Sequence, residues 1–404
     1  MNTLSKPELL APAGNLEKLK IALLYGADAV YVGGHVFGLR KYADNFSETQ
    51  LEQGIAFANS LNKRVYLVLN GFAHNQDLDQ LLPYFKILNK LKPHGLIISD
   101  MGIVQLAKAH TNIPIHISTQ ASVTNKYTTK LYKDAGAKRV ILAREVSIED
   151  CKEIKAYTDI ELEVFVHGAM CASYSGKCII SNYSAGRDSN RGGCVQSCRH
   201  KYHLFDPETK EEVDQKHIMN AKDLMAVNLL PDLIISGVDS LKVEGRMKSN
   251  MYVANISKVY RQAIDYCFDC IVNKKEINPE KINTWQLELS KVSNRSFSTG
   301  GLEDRPFSES IRYNFDKYEK DVDYIGTVKD CLNDALIIEN KVPFEVGDQL
   351  ELVSPSHDTQ TFQVTNFFDL RGNRLEKSKP NSIVSLPFEG HKEKYSLLRK
   401  CLSA

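Results

Sequence analysis

The stretch Tyr25–Gly34, "YGADAVYVGG", decides the fold. Before it, Leu16, Leu19 and Leu23 recur at helical spacing on one face. A glycine then follows the last turn, where a left-handed residue ends a helix at little cost, and a short apolar run reads as a strand. The same joint recurs in "AGAKRVILARE" (135–145) and "SGVDSLKVEGR" (236–246), with a looser copy in "PHGLIISD" (93–100).

Working outward, eight apolar runs read as strands: Glu8–Ala11, Ala29–Gly33, Arg64–Asn70, Gly95–Asp100, Ile113–Ser118, Arg139–Ala143, Leu162–His167 and Ser240–Glu244. Amphipathic segments separate most of them. An open doubly wound sheet has the same local signature, so the count of eight favours an α/β fold of the (β/α)8 TIM-like barrel kind.

The regular spacing fails once. More than 70 residues separate the seventh and eighth runs, and four cysteines cluster there. We read 1–275 as a barrel with an insertion at 168–236, which carries a hairpin in "KYHLFDPETKEEVDQKHIM" and a short helix from about Ala221. Insertions after barrel strands build active sites. Residues 276–320 read as a charged, helix-poor connection after a helix over Tyr252–Cys270. Five short strands then mark 321–404 as a small C-terminal β-barrel domain.

The chain has 404 residues, 43% of them apolar, so it can bury a large core. Its 51 basic and 50 acidic residues exclude a nonspecific polycation but allow a local basic face. The amino terminus lacks a signal-peptide pattern, and no apolar run approaches the roughly 20 residues that span a bilayer. A soluble, cytoplasmic protein with no membrane partner is the expectation. In that compartment clustered cysteines serve as ligands or catalysts rather than disulfides.

Cys171, Cys178, Cys194 and Cys198 are spaced C-x6-C-x15-C-x3-C, flanked by Gly, Ser and Arg. Four thiolates suit an iron–sulfur cluster or tetrahedral zinc. The absence of a tight C-x2-C pair favours the larger cluster. A cysteine nucleophile is a third reading, since His167 lies four residues before Cys171, but it leaves three thiols unexplained. The remaining cysteines, Cys151, Cys267, Cys270, Cys331 and Cys401, read as small buried apolar residues.

At these residues the chain resembles the family catalogued as peptidase U32. Glu163, Phe165, Gly168, Ala169, Met170, Cys171, Gly176, Cys178, Ile180 and Ser181 match its signature. The resemblance extends to "PELLAPAGNLEKLKIALLYGADAVYVGG" (7–34), "STQASVTN" (118–125), "GVDSLKVEGRMKS" (237–249) and "NRSFSTGG" (294–301). Although the family name implies a peptidase, relatives of this kind hydroxylate tRNA uridine 34 at C5, a 23S rRNA cytidine, or the ubiquinone ring. The resemblance implies a [4Fe-4S] cluster on Cys171, Cys178, Cys194 and Cys198, with prephenate as oxygen source. By analogy of layout it implies the tRNA branch, with tRNA as partner, no DNA, and in some relatives a paralogous U32 protein.

Such a hydroxylase also needs a pocket for a dianionic donor and a positive path for RNA. Barrel strand ends offer Asn70, Asp100, Gln120, Arg144, Glu145, His167, Lys242, Glu244 and Arg246. Arg144 and Arg246 suit a prephenate-like acid, because guanidinium binds carboxylate in a fork. A structural ion pair with a neighbouring carboxylate, Glu145 or Glu244, is the alternative for these two arginines. His167 suits a proton relay. Arg187, Arg191, Arg199 and Lys201, beside His200, suit RNA phosphates. Tyr174, Tyr183 and Tyr202 suit stacking on a flipped base. No H-E-x-x-H or G-x-S-x-G occurs, which leaves the peptidase reading on the family name alone. A scaffold with structural zinc is the non-enzymatic alternative.

Overall fold

The computed structural model describes residues 4–34, 45–314, 317–332 and 334–402. Seven strands pair in parallel, each with the next: β1 (Glu8–Pro12), β2 (Ala29–Gly33), β3 (Arg64–Leu69), β4 (Gly95–Ile98), β5 (Ile115–Ile117), β6 (Arg139–Ile141) and β7 (Glu161–Ala169). Between them lie α1 (Leu16–Leu24), α2 (Glu48–Ser60), α3 (Asn75–Leu78), α4 (Leu81–Leu91), α5 (Met101–His110), α6 (Lys126–Asp134) and α7 (Ile148–Tyr157). The insertion follows, with α8 (Ile180–Ala185), the hairpin β8 (Tyr202–Phe205) and β9 (Glu212–Lys216), then β10 (Asp223–Met225) and α9 (Leu230–Ile235). β11 (Ser240–Val243) pairs in parallel with both β1 and β7 and closes the barrel.

Local chemistry sets the joints. Gly26, Gly136 and Gly237 have φ of +111°, +100° and +79°, the left-handed geometry that their place after a helix demands. Asn15, Asp100, Asn125 and Ser249 cap the helices that follow them by accepting a backbone N–H. Leu67, Leu96, Ile117, Val140, Leu162 and Leu241 are 0% exposed. Full burial of each stabilises the fold by about 1.5–3 kcal/mol.

The alternate residues point into the lumen. Arg139 on β6 reaches Glu8 on β1 at 2.6 Å, although these strands are not neighbours in the sheet. The lumen therefore holds a charged chain: Arg64–Glu8–Arg139–Glu163–Lys242, with contacts of 2.7, 2.6, 3.0 and 2.9 Å.

After the barrel come α10 (Asn250–Val272), α11 (Pro279–Ser290) and β12 (Phe297–Ser298). The expected helix-poor connection is thus corrected. α11 escapes periodicity because only Leu289 among its residues is buried; Asn278 caps it, Pro279 starts it, and Trp285 packs edge-on against Tyr266. The helix expected from Ala221 is corrected too. Asp223–Met225 is a strand because it adds antiparallel to the end of β7 and parallel to β12, and the helix starts at Leu230.

The C-terminal unit is an antiparallel sheet of eight strands where five were expected: β13 (Val322–Leu332), β14 (Ala335–Asn340), β15 (Gln349–Val353), β16 (Gln360–Gln363), β17 (Phe367–Asp369), β18 (Arg374–Leu375), β19 (Ile383–Pro387) and β20 (Leu397–Cys401). It has its own core around Phe344, Leu352, Phe367 and Leu398. It docks on the barrel's helices: Tyr25 donates to Val353 O (2.6 Å), Lys258 to Ser354 O (2.7 Å), and Arg399 pairs with Glu288 of α11. Among the described residues no helix is long and apolar enough to cross a membrane. Cys151, Cys267 and Cys270 are buried as expected, whereas Cys331 is half-buried and Cys401 is exposed at the end of β20.

Candidate functional site

A cavity of about 350 Å³ opens where the barrel strands end. Its lower wall comes from strand residues and the residues just after them: Tyr31, Val68, Asn70, Ser118, Phe165 and Lys242. The insertion supplies its upper wall, including all four clustered cysteines.

The first insertion loop is held close to the barrel. Gly176 has φ +74°, and a Cβ there would lie 2.0 Å from Gln120 O, so only glycine lets the Cys171–Cys178 loop approach the strand end. Ser122 donates to Ser175 O, Ser175 N donates to Glu145 Oε1 (3.0 Å), and Arg144 N donates to Ser175 Oγ (3.1 Å). The second cysteine pair is tied down through Arg191, whose Nη1 donates to Phe72 O (2.7 Å) and to Asp77 (2.6 Å).

Cys171 and Cys194 are exposed, and Cys178 and Cys198 are half-buried. Burial raises the Cys178 thiol, but donors from Ser173, Ile180 N, Ser189 and Ser181 N outweigh it and bring the group below its ordinary value. Burial raises Cys198, with Cys171 adding to the rise and Arg199 opposing it. Each of the other three thiols thus lies within electrostatic reach of Cys198. Among the described residues, no three His, Cys, Asp or Glu side chains close on a point that would hold a single metal ion.

Charge in the lining is one-sided. Among the described residues, Arg144, Arg187, Arg199, Lys242 and Arg246 face it, against Glu244. Arg144 lies on Phe165, its Cζ 4.0 Å from the ring centroid, and makes no ion pair with Glu145. Arg246 is buried, with Nη2 donating to Asn45 (3.2 Å). Glu163, fully buried, is lifted by burial but brought below the usual carboxylate range by Lys242 and Arg139. Burial pulls the Lys242 ammonium down, and ionised Glu163 pushes back.

Not every expected site residue reaches the cavity. His167 is 2% exposed and packs among Tyr252, Tyr260 and Phe297, behind the lining. Burial, then Lys248, drops its pKa to about 3, so it is a neutral packing group there and not a relay at the cavity. Its place at the start of the cysteine loop makes it a candidate; the register shift where β7 meets β11, which pairs Phe165 with Lys242 but His167 with Val243, takes it out of the lumen-facing alternation. Arg191 is committed to Asp77, and exposed Lys201 lies outside the lining. Tyr174 lines the cavity; Tyr183 is 87% exposed elsewhere, and Tyr202 is anchored by its hydroxyl to Ser197 O (2.9 Å).

Tyr31, Phe165, Ser173 and Ser189 were not legible as lining residues. From sequence Lys242 reads only as one of the strand-end residues. Its signal was there: a lysine between Leu241 and Val243 breaks an otherwise apolar strand at an inward position.

Residues 14–312 match the family described as Peptidase family U32, and 320–399 match the Peptidase family U32 C-terminal domain. A Bacillus subtilis protein named tRNA hydroxylation protein P1 is 39% identical over 408 residues, covering 98% of this chain and 95% of the relative. The 23S rRNA 5-hydroxycytidine C2501 synthase of Escherichia coli is 38% identical over 261 residues, covering 64% of this chain and 39% of the relative. A Porphyromonas gingivalis protein named collagenase is 29% identical over 400 residues, covering 94% of each. With both family segments matched in order, and with the signature cysteines gathered at the mouth of its barrel, this chain belongs to peptidase family U32.

Proposed function

We propose that this chain hydroxylates tRNA, forming 5-hydroxyuridine at wobble position 34, with a [4Fe-4S] cluster and a prephenate-like acid as oxygen source. The observation that carries the reading is the convergence of four thiols and five basic side chains on one cavity at the barrel mouth. The donor set fits the cluster: four cysteines, the thiolate donors an iron–sulfur centre needs, share one cavity. Cys171, Cys178, Cys194 and Cys198 would hold it. When bound, it supplies an electron-active centre.

The remaining work falls to the chain's own groups. Arg187 and Arg199 offer positive charge beside the thiols for RNA phosphates. Tyr174, 62% exposed at the lining, offers a face for a flipped base. Arg144 and Lys242 receive the acid. The chain works as a soluble cytoplasmic enzyme with tRNA as partner.

The relative named for tRNA hydroxylation matches nearly the whole of both chains, while the rRNA synthase matches over 39% of its own length. This supports tRNA over rRNA. A peptidase needs a nucleophile with a base; among the described residues the cavity lining holds thiols but no histidine.

Nucleoside mass spectrometry of tRNA and rRNA from a strain lacking the gene tests the reading, with complementation by wild type and by Cys171→Ala. Loss of 5-hydroxyuridine-derived nucleosides, restored by wild type alone, is expected. Loss confined to an rRNA cytidine would keep the chemistry and change the substrate. Unaltered RNA, in a strain also cleared of paralogues, would favour a peptidase or a quinone-precursor hydroxylase.

A further inference from the structure

Two cations in the cavity floor have more donors than the described residues have acceptors for them. Lys242 is 5% exposed, and Glu163 Oε1 accepts one of its three N–H groups at 2.9 Å. Among the described residues no other protein acceptor serves this ammonium, which otherwise faces the rings of Tyr31 (4.6 Å) and Phe165 (5.5 Å). Arg144 lies 4.0 Å from the same Phe165 centroid, its buried Nε without a hydrogen-bond partner. A buried donor left unmet costs about 1–3 kcal/mol. Both side chains line the cavity.

We infer that Arg144, Lys242 and Phe165 form a carboxylate subsite on the cavity floor, that the small-acid co-substrate occupies it, and that Glu163 is its positioning residue. This deepens the hydroxylase reading and rests on it for the identity of the acid.

Geometry separates the acid from the RNA. A flipped nucleotide enters base first, with its phosphates left at the surface. The insertion arginines Arg187 and Arg199 are placed for those phosphates, whereas Arg144 and Lys242 sit on or just beyond β6 and β11, below. An anion at the floor must therefore come from a separate small molecule. Because it lies beneath the nucleotide's path, it binds without RNA.

Charge fixes the ligand's sign. Within the lumen, Arg64, Arg139 and Lys242 are matched by Glu8, Glu163 and Glu161. Arg144 stands outside that balance with no ion pair among the described residues, so its cationic charge is available to a carboxylate. Glu163 cannot yield its place, because Arg139 holds its other oxygen at 3.0 Å. The ammonium is thus aimed before the ligand arrives.

The test is calorimetric titration of prephenate, and of the monoacid phenylpyruvate, into RNA-free full-length protein. Wild type should bind prephenate. Lys242→Met and Arg144→Gln should each weaken it by about tenfold to a hundredfold, the loss expected for a charge-assisted contact. Glu163→Gln should weaken the acid while tRNA affinity stays, a split that general loosening would not give. Arg144 lies outside the lumen chain, so Arg144→Gln remains decisive if Lys242→Met fails to fold. Binding of phenylpyruvate but not prephenate would keep the subsite and remove the diacid donor. Unchanged affinity in Arg144→Gln and Lys242→Met would overturn the subsite and leave the donor reading standing. Binding of neither acid by wild type would overturn the subsite outright.

Discussion

Lys242 on β11 donates to Glu163 Oε1 on β7 at 2.9 Å, across the seam where the barrel closes. Neither side chain has appreciable contact with solvent. A pair so placed links the last strand of the barrel to the strand that launches the cysteine loop.

Glu163→Gln should destabilise the fold by about 3–5 kcal/mol, because it leaves Lys242 and Arg139 facing a neutral amide in the lumen. Adding Lys242→Met should recover part of that loss. Urea unfolding of Glu163→Gln, Lys242→Met and the double variant checks this; strictly additive losses would show that the pair is not coupled.

Acid should loosen the protein before its carboxylates titrate. Burial, followed by Arg139 for His116 and Lys248 for His167, holds both imidazoles at about 3 against an ordinary value of 6.5. The unfolded chain takes up these protons first as pH falls. Stability present above about 6.5 is therefore lost progressively toward about 3, by about 1.4 kcal/mol per pH unit for each histidine. Denaturation midpoints from pH 7.5 to 5 should show a slope that His167→Phe roughly halves. A flat profile would contradict the burial argument.

Gly176→Ala should displace the Cys171–Cys178 loop, since the new Cβ meets Gln120 backbone at 2.0 Å with φ +74°. On the proposed cluster reading, bound iron per chain should fall while far-ultraviolet circular dichroism stays native. Full iron loading in this variant would mean that the loop's close approach is dispensable.

Two of the three insertion arginines, Arg199 and Arg191, should separate in salt titrations of tRNA binding. Arg199→Ala removes a cavity-lining charge and should lower the salt slope by about one. Arg191→Ala should leave that slope in place and instead expose the insertion to protease, because its guanidinium is spent on Phe72 O and Asp77. An equal loss of slope in both would return Arg191 to the RNA surface.

The barrel strands were readable because each is a local event: an apolar run, which before Ala29, Arg139 and Ser240 follows a helix-ending glycine, needs nothing distant to declare itself. β10 and α11 were not, since three residues such as Asp223–Met225 become a strand only when β7 and β12 lie on either side. The cysteines were found by spacing, whereas His167 was misplaced by it.

Sequence alone determined the eightfold alternation, the position of the long insertion and the set of four thiols, all of which are written in neighbouring residues. Tertiary structure decided which charges serve the cavity. Barrel closure sets Glu163 against Lys242, puts Arg144 on Phe165, ties Arg191 to Asp77 and turns His167 away. Strand alternation names the two faces of a strand, but only the closed register fixes which distant residues meet across the lumen.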